Sequence, residues 1–319
     1  MLKFINRKIA FQRVLLLGLS VLAVYTIITQ TQLSNEQGVA FLFQSFAQFF
    51  SKYIFLGKGI IIAILLFQIS LLQYYAVKNE FVAKNSLLPA CFYLSILLLT
   101  NSLVIISPLF FTLLFFLITI SINYTTSSVK LKNNVFWTGT LIAFATCFDI
   151  SSVILLVLVI VTLIINQFFK IKEIGILLFG FILLYFYFFS YYVLTDNYYE
   201  WILTFHQIKI LGILNEEIIT HVSTLIYLII LGVLYIYFII RSRLVSESKV
   251  VVQRKKIITL NTCSILMIAC LFISNISYPY ILGYLFVSIA IYLAILAQER
   301  NPLYINELTT IIILILLWL

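Results

Sequence analysis

The sequence predicts an all-α fold, a polytopic helical membrane protein with about eleven crossings, some of them short. Three observations predict it. Apolar residues make up 63% of the 319 positions and charged ones only 10%, against roughly 25% charged in an ordinary soluble domain. The apolar residues come in successive long runs, and at about 18 residues per crossing they suffice for about eleven. The basic residues fall in alternate connections, as bilayer topology requires. This balance excludes a water-soluble domain of comparable size, which needs far more polar surface than 20 Lys+Arg and 11 Asp+Glu supply.

The first run follows Lys3, Arg7, Lys8 and Arg13 and extends from Val14 to Ile28. No small-residue cleavage site follows it, so it is expected to be a retained signal anchor. Crossings are expected near 11–31, 59–77, 86–106, 108–122, 135–148, 150–167, 174–194, 223–240, 257–274, 278–297 and 305–319. Ser107-Pro108 divides two of them, because the residue before proline disfavours helix. The run from Phe136 to Ile165 is too long for one span and short for two. It is therefore broken at residues 147–152 into two short helices meeting at a polar tip.

Charge tests this division. With the N-terminus in the cytoplasm, 17 of the 20 Lys+Arg lie on the cytoplasmic side, and only Lys52, Lys58 and Lys209 lie outside. A single span over 136–165 would turn the basic segment Arg241–Lys256 outward, against the positive-inside rule. The C-terminus is then periplasmic. The net charge of +9 is a topology signal and not a nucleic-acid footprint, for no aromatic-basic recognition motif accompanies it. The Arg241–Lys256 cluster is expected on anionic headgroups.

Several residues on the expected outer face are candidates for function. From Glu36 to Lys52, Val39, Leu42, Phe43, Phe46, Phe49 and Phe50 recur at helical spacing opposite Gln37, Gln44, Ser45, Gln48, Ser51 and Lys52. Such a helix lies in the interface plane, where it either caps the bundle or walls a substrate groove. Lys52 and Lys58 either hold a lipid phosphate as point charges or snorkel to the headgroups. Asp149 stands out as an ionisable residue well inside an apolar stretch. It either marks function or caps the second short helix beside Ser151 and Ser152. Glu217 and His221 are one helical turn apart and form a surface ion pair, an acid/base couple or half of a metal site. Two ligands do not complete a zinc site.

The cysteines Cys91, Cys147, Cys263 and Cys270 lie in apolar runs and are expected to be buried and unbridged. No phosphate loop, HExxH or GxSxG is present. An ion-coupled transporter is disfavoured, since such proteins use ionisable or broken-helix sites near mid-membrane.

The succession of an N-terminal span, an interfacial helix, two spans split at Ser107-Pro108, and a short helical pair over the run Gly139 to Leu156 resembles the shared module of GT-C-type glycosyltransferases. The resemblance covers about residues 10–195. The whole chain also resembles a family of Bacteroidota polytopic inner-membrane proteins, which adds location without chemistry. The GT-C resemblance implies transfer or polymerisation of polyprenyl-phosphate-linked sugars at the outer face, and a carboxylate in the first outer loop acting as base or metal ligand. That loop carries one acidic residue, Glu36, where an Asp or an acidic pair is expected. On this reading Glu36 and Asp149 are catalytic, Lys52, Lys58, Glu217 and His221 bind ligand, and no cofactor is called for beyond a divalent metal that a carboxylate could hold.

The implied organisation is a GT-C-like module over 1–195 containing the interfacial helix 36–52, an outer segment over 196–222 and C-terminal helices over 223–319. The expected partners are membrane lipids, a polyprenyl-phosphate glycan and other membrane-protein subunits, with no nucleic acid. The alternative function is a non-catalytic subunit or scaffold of an inner-membrane complex.

Overall fold

In the computed structural model, the structure describes residues 9–33, 41–99, 102–124, 131–166, 170–196, 256–262 and 283–297, together with 236–237, 239–240 and 265. The described residues form helices in this order: α1 (Ile9–Gln30), α2 (Phe41–Lys52), α3 (Ile54–Lys78), α4 (Leu88–Leu99), α5 (Pro108–Tyr124), α6 (Leu131–Phe148), a 3-10 turn (Ile150–Val153), α7 (Ile154–Ile165), α8 (Ile171–Leu194) and α9 (Gly283–Ala297). Three of them, α1, α3 and α8, are long and apolar enough to cross a membrane. They carry large exposed apolar side chains such as Val21, Phe55 and Phe186, which is the surface expected of a protein whose solvent is lipid.

The segment expected at the interface is helical over Phe41–Lys52. Phe43 and Phe50 are buried, while Gln44, Ser45, Gln48, Ser51 and Lys52 are exposed. A single non-helical residue, Tyr53, joins it to α3, which begins five residues earlier than the crossing expected at 59. The α3 C-terminus closes in a Schellman motif. The Phe81 and Glu80 N–H groups donate to the Ala76 and Val77 carbonyls, Glu80 takes the left-handed conformation (φ 59°), and the Phe81 ring packs on Tyr75.

The crossing expected over 86–106 differs from the structure. Helix α4 ends at Leu99, and Ile105–Ile106 instead pairs in parallel with Gln32–Leu33. The Thr31 hydroxyl donates to the Leu103 carbonyl at 2.7 Å, and the Gln32 N–H donates to the Val104 carbonyl at 2.8 Å. The backbone near 103–106 thus finds its partners on the chain leaving α1, and Pro108 restarts the helix as its first residue.

The break expected at 147–152 is present, with α6 ending at Phe148 and α7 starting at Ile154. The two helices are unequal. Helix α6 starts at Leu131 and has 18 residues, about 27 Å, whereas α7 has 12, about 18 Å. Helices α6 and α8 approach very closely: a Cβ on Gly139 would lie 2.2 Å from the Leu177 carbonyl oxygen, and one on Gly180 would lie 2.5 Å from that of Phe136. Such glycine contacts allow dispersion forces between backbones to drive association in lipid. The Tyr185 hydroxyl donates to Thr146 Oγ1 at 2.6 Å and ties the same pair together.

Inside the bundle, Gln68 connects three helices. Its Nε2 donates to the Phe110 carbonyl at 2.6 Å and its Oε1 accepts from the Tyr93 hydroxyl at 2.9 Å. Helix α9 is buried from Leu285 to Ala297 and lies against α4 and α5. Its apolar surface all round suits a central helix.

Candidate functional site

Most of the described candidates gather at one end of the bundle, joined by aromatic rings. Phe43 and Phe46 of α2 meet Phe111 of α5 edge to face, with centroids 5.9 and 4.8 Å apart. Phe111 stacks flat on Phe148 of α6, 4.9 Å away and 5° from parallel. Phe115 continues the cluster, 5.9 Å from Phe148. Contacts of this kind add about 0.5–1.5 kcal/mol each beyond their buried area. Asp149 follows Phe148 directly, so α2 and the α6 break belong to one assembly.

Asp149 departs from the expected polar tip. It is only 6% exposed, because Phe148 pulls the break inward against Phe111. The backbone turns here: the Asp149 N–H ends α6 on the Ala145 carbonyl at 2.9 Å, and the Asp149 carbonyl accepts the Ser152 N–H at 3.1 Å. Ser152 is fully buried and Thr146 nearly so. A buried carboxylate thus stands at the turn between α6 and α7.

The two lysines part company. Lys52 is exposed, with its ammonium 5.4 Å from the centre of the Tyr53 ring. Lys58 points back to α1 and donates to the Ile28 carbonyl at 2.5 Å. A cation there satisfies one of the last carbonyls of α1 and complements its dipole. An ammonium has three donors, so this bond leaves two. Glu36, Glu217 and His221 lie outside the described residues.

A second buried acid, besides Asp149, has no counterpart among the residues the sequence marks as functional. Glu173, in the first turn of α8, is 4% exposed, and its Oε2 has no hydrogen-bond partner among the described residues. The signal was present. Glu173, Leu177 and Gly180 share one face of α8, the face buried against α6. The adjacent Lys170 and Lys172 are exposed and made the whole segment read as a solvated basic end.

Cys91 and Cys147 are buried free thiols, as their apolar surroundings predict. Among the described residues no three His, Cys, Asp or Glu side chains come together in a way that could hold a metal. Comparison of the chain with protein-family models, with curated proteins and with solved structures gave no match.

Proposed function

We propose that this chain is an integral protein of the bacterial inner membrane, with its N-terminus cytoplasmic and its C-terminus periplasmic. In this reading its N-terminal helices act as a GT-C-like module that transfers or polymerises polyprenyl-phosphate-linked sugars at the outer face. The observation that carries this reading is the convergence of α2, the α6 break and Asp149 at one end of the bundle through the rings of Phe46, Phe111 and Phe148. An interfacial helix beside a buried carboxylate is suited to a substrate that is half lipid and half sugar, since chain and headgroup then meet apolar and polar surface in turn. Asp149 or Glu36 would accept the proton of an acceptor hydroxyl as its oxygen attacks the anomeric carbon, and the polyprenyl phosphate would leave with the bonding electrons. Lys52 and the remaining donors of Lys58 would stabilise that phosphate.

The test is turnover of a polyprenyl-phosphate sugar by the full chain in liposomes. Asp149→Asn or Glu36→Gln, whichever removes the base, is expected to lower it by about 10²–10⁴-fold, the usual contribution of a general base. Turnover unchanged in both variants removes the reading.

A second reading has an observation of its own. The rings of Phe43, Phe46, Phe111 and Phe148 fill the space between α2 and the break, and Lys58 is engaged with α1, as suits a non-catalytic subunit of an inner-membrane complex. That reading expects a stoichiometric membrane-protein partner to co-purify in mild detergent. A solitary monomer counts against it.

A further inference from the structure

We propose that α2 is a hinged lid over the α6 break, a two-position element whose displacement uncovers Asp149. The inference shares Asp149 with the proposed site but does not depend on the substrate of that site.

The joint is a single residue. Tyr53, with φ −132° and ψ 67°, is the one non-helical position between α2 and α3, so a change at its two dihedrals swings the 12 residues of α2 as a unit. Beside the joint, Phe50 nests against Gly57, where an added Cβ would lie 2.3 Å from the ring. This contact is a pivot and moves least. Phe43 and Phe46 lie farther from the joint, and their rings pack on Phe111, which stacks on Phe148, the residue before the buried Asp149.

The surroundings make such a swing affordable. Moving a buried phenylalanine into water is costly, which would hold a lid of this kind shut in a soluble protein. At a membrane surface the displaced rings enter the boundary between headgroups and acyl chains, where amphipathic helices rest, so most of that cost disappears. The opposite face of α2, with Gln44, Gln48, Ser51 and Lys52 exposed, faces water or headgroups in both positions. The closed state is thus stabilised by ring packing, and the open state by lipid.

The experiment uses the full chain in liposomes, with the four cysteines replaced by alanine and spin labels at Gln48→Cys on α2 and Ser70→Cys on α3, both exposed positions. The lid predicts a second, longer distance population, which Phe46→Ala enlarges by up to about tenfold as its edge contact with Phe111 is lost. In step with it, Asp149→Cys becomes more reactive to a membrane-impermeant maleimide. One narrow distance, unchanged by Phe46→Ala, overturns the lid, as do two populations with unchanged alkylation. The distance measurement leaves Asp149 intact, so one narrow distance overturns the lid even if the Asp149→Cys chain fails to fold. Neither readout involves sugar transfer, so failure of the lid and failure of the transferase reading are separate results.

Discussion

Gln68 shows how much a single polar side chain can organise where water is absent. Its amide bonds to the Phe110 carbonyl and to the Tyr93 hydroxyl, so removing it leaves two buried polar groups without that partner. Gln68→Leu is expected to destabilise the chain in detergent by about 1–2 kcal/mol, and Gln68→Leu combined with Tyr93→Phe by less than the sum of the two single variants. Thermal unfolding of the four proteins measures this, and strict additivity would show the bond to be worthless. Gln68 was not legible in the sequence, because nothing in the 25-residue apolar helix that carries Gln68 and Gln73 announces its partners, which are 25 and 42 residues away. Asp149 was legible, since a carboxylate in an apolar run is costly wherever it ends up. Its burial was not, because that depends on Phe111 of another helix. Glu173 was hidden by two exposed lysines beside it, although its spacing from Leu177 and Gly180 marked the inward face.

At the level of helices, chain length and close approach decided the arrangement. The break after Phe148 could be read from arithmetic alone, since the apolar run fits neither one span nor two full ones. The end of α4 at Leu99 could not, because the chain beyond it is held by bonds to Thr31 and Gln32, a long-range pairing without a local signal. The contact of α6 with α8 has a sharper consequence. Gly139 and Gly180 touch opposing backbone, which cannot shift as a flexible side chain can, so Gly139→Ala must push the helices apart. A loss of about 1–3 kcal/mol is expected, the usual cost of overpacking. Gly18→Ala, where an added methyl meets nothing within 4 Å, is expected to leave stability unchanged or raise it by up to about 1 kcal/mol through better helix propensity. Equal unfolding midpoints for the two variants would show that the close approach contributes nothing.

For the whole molecule, charge and structure bear on the same question from different sides. Lys52 and Lys58 sit at the end shared by α2 and the α6 break, whereas Lys78, Lys84, Lys132, Lys170 and Lys172 belong to the other ends of α3, α4, α6 and α8. Five lysines against two is the bias that the positive-inside rule turns into an orientation, and in the function proposed above the Asp149 end faces away from the cytoplasm. In intact cells, Lys52→Cys in a cysteine-free chain is therefore expected to react with a membrane-impermeant maleimide, and Lys84→Cys to react only after permeabilisation. The outcome is all or none, because a headgroup-level thiol lies on one side or the other. Reaction in the reverse order would put the carboxylate, the lid and both lysines on the cytoplasmic surface. The ring assembly would survive that reversal, since it depends only on packing, but a chemistry that uses sugars presented at the outer face would not.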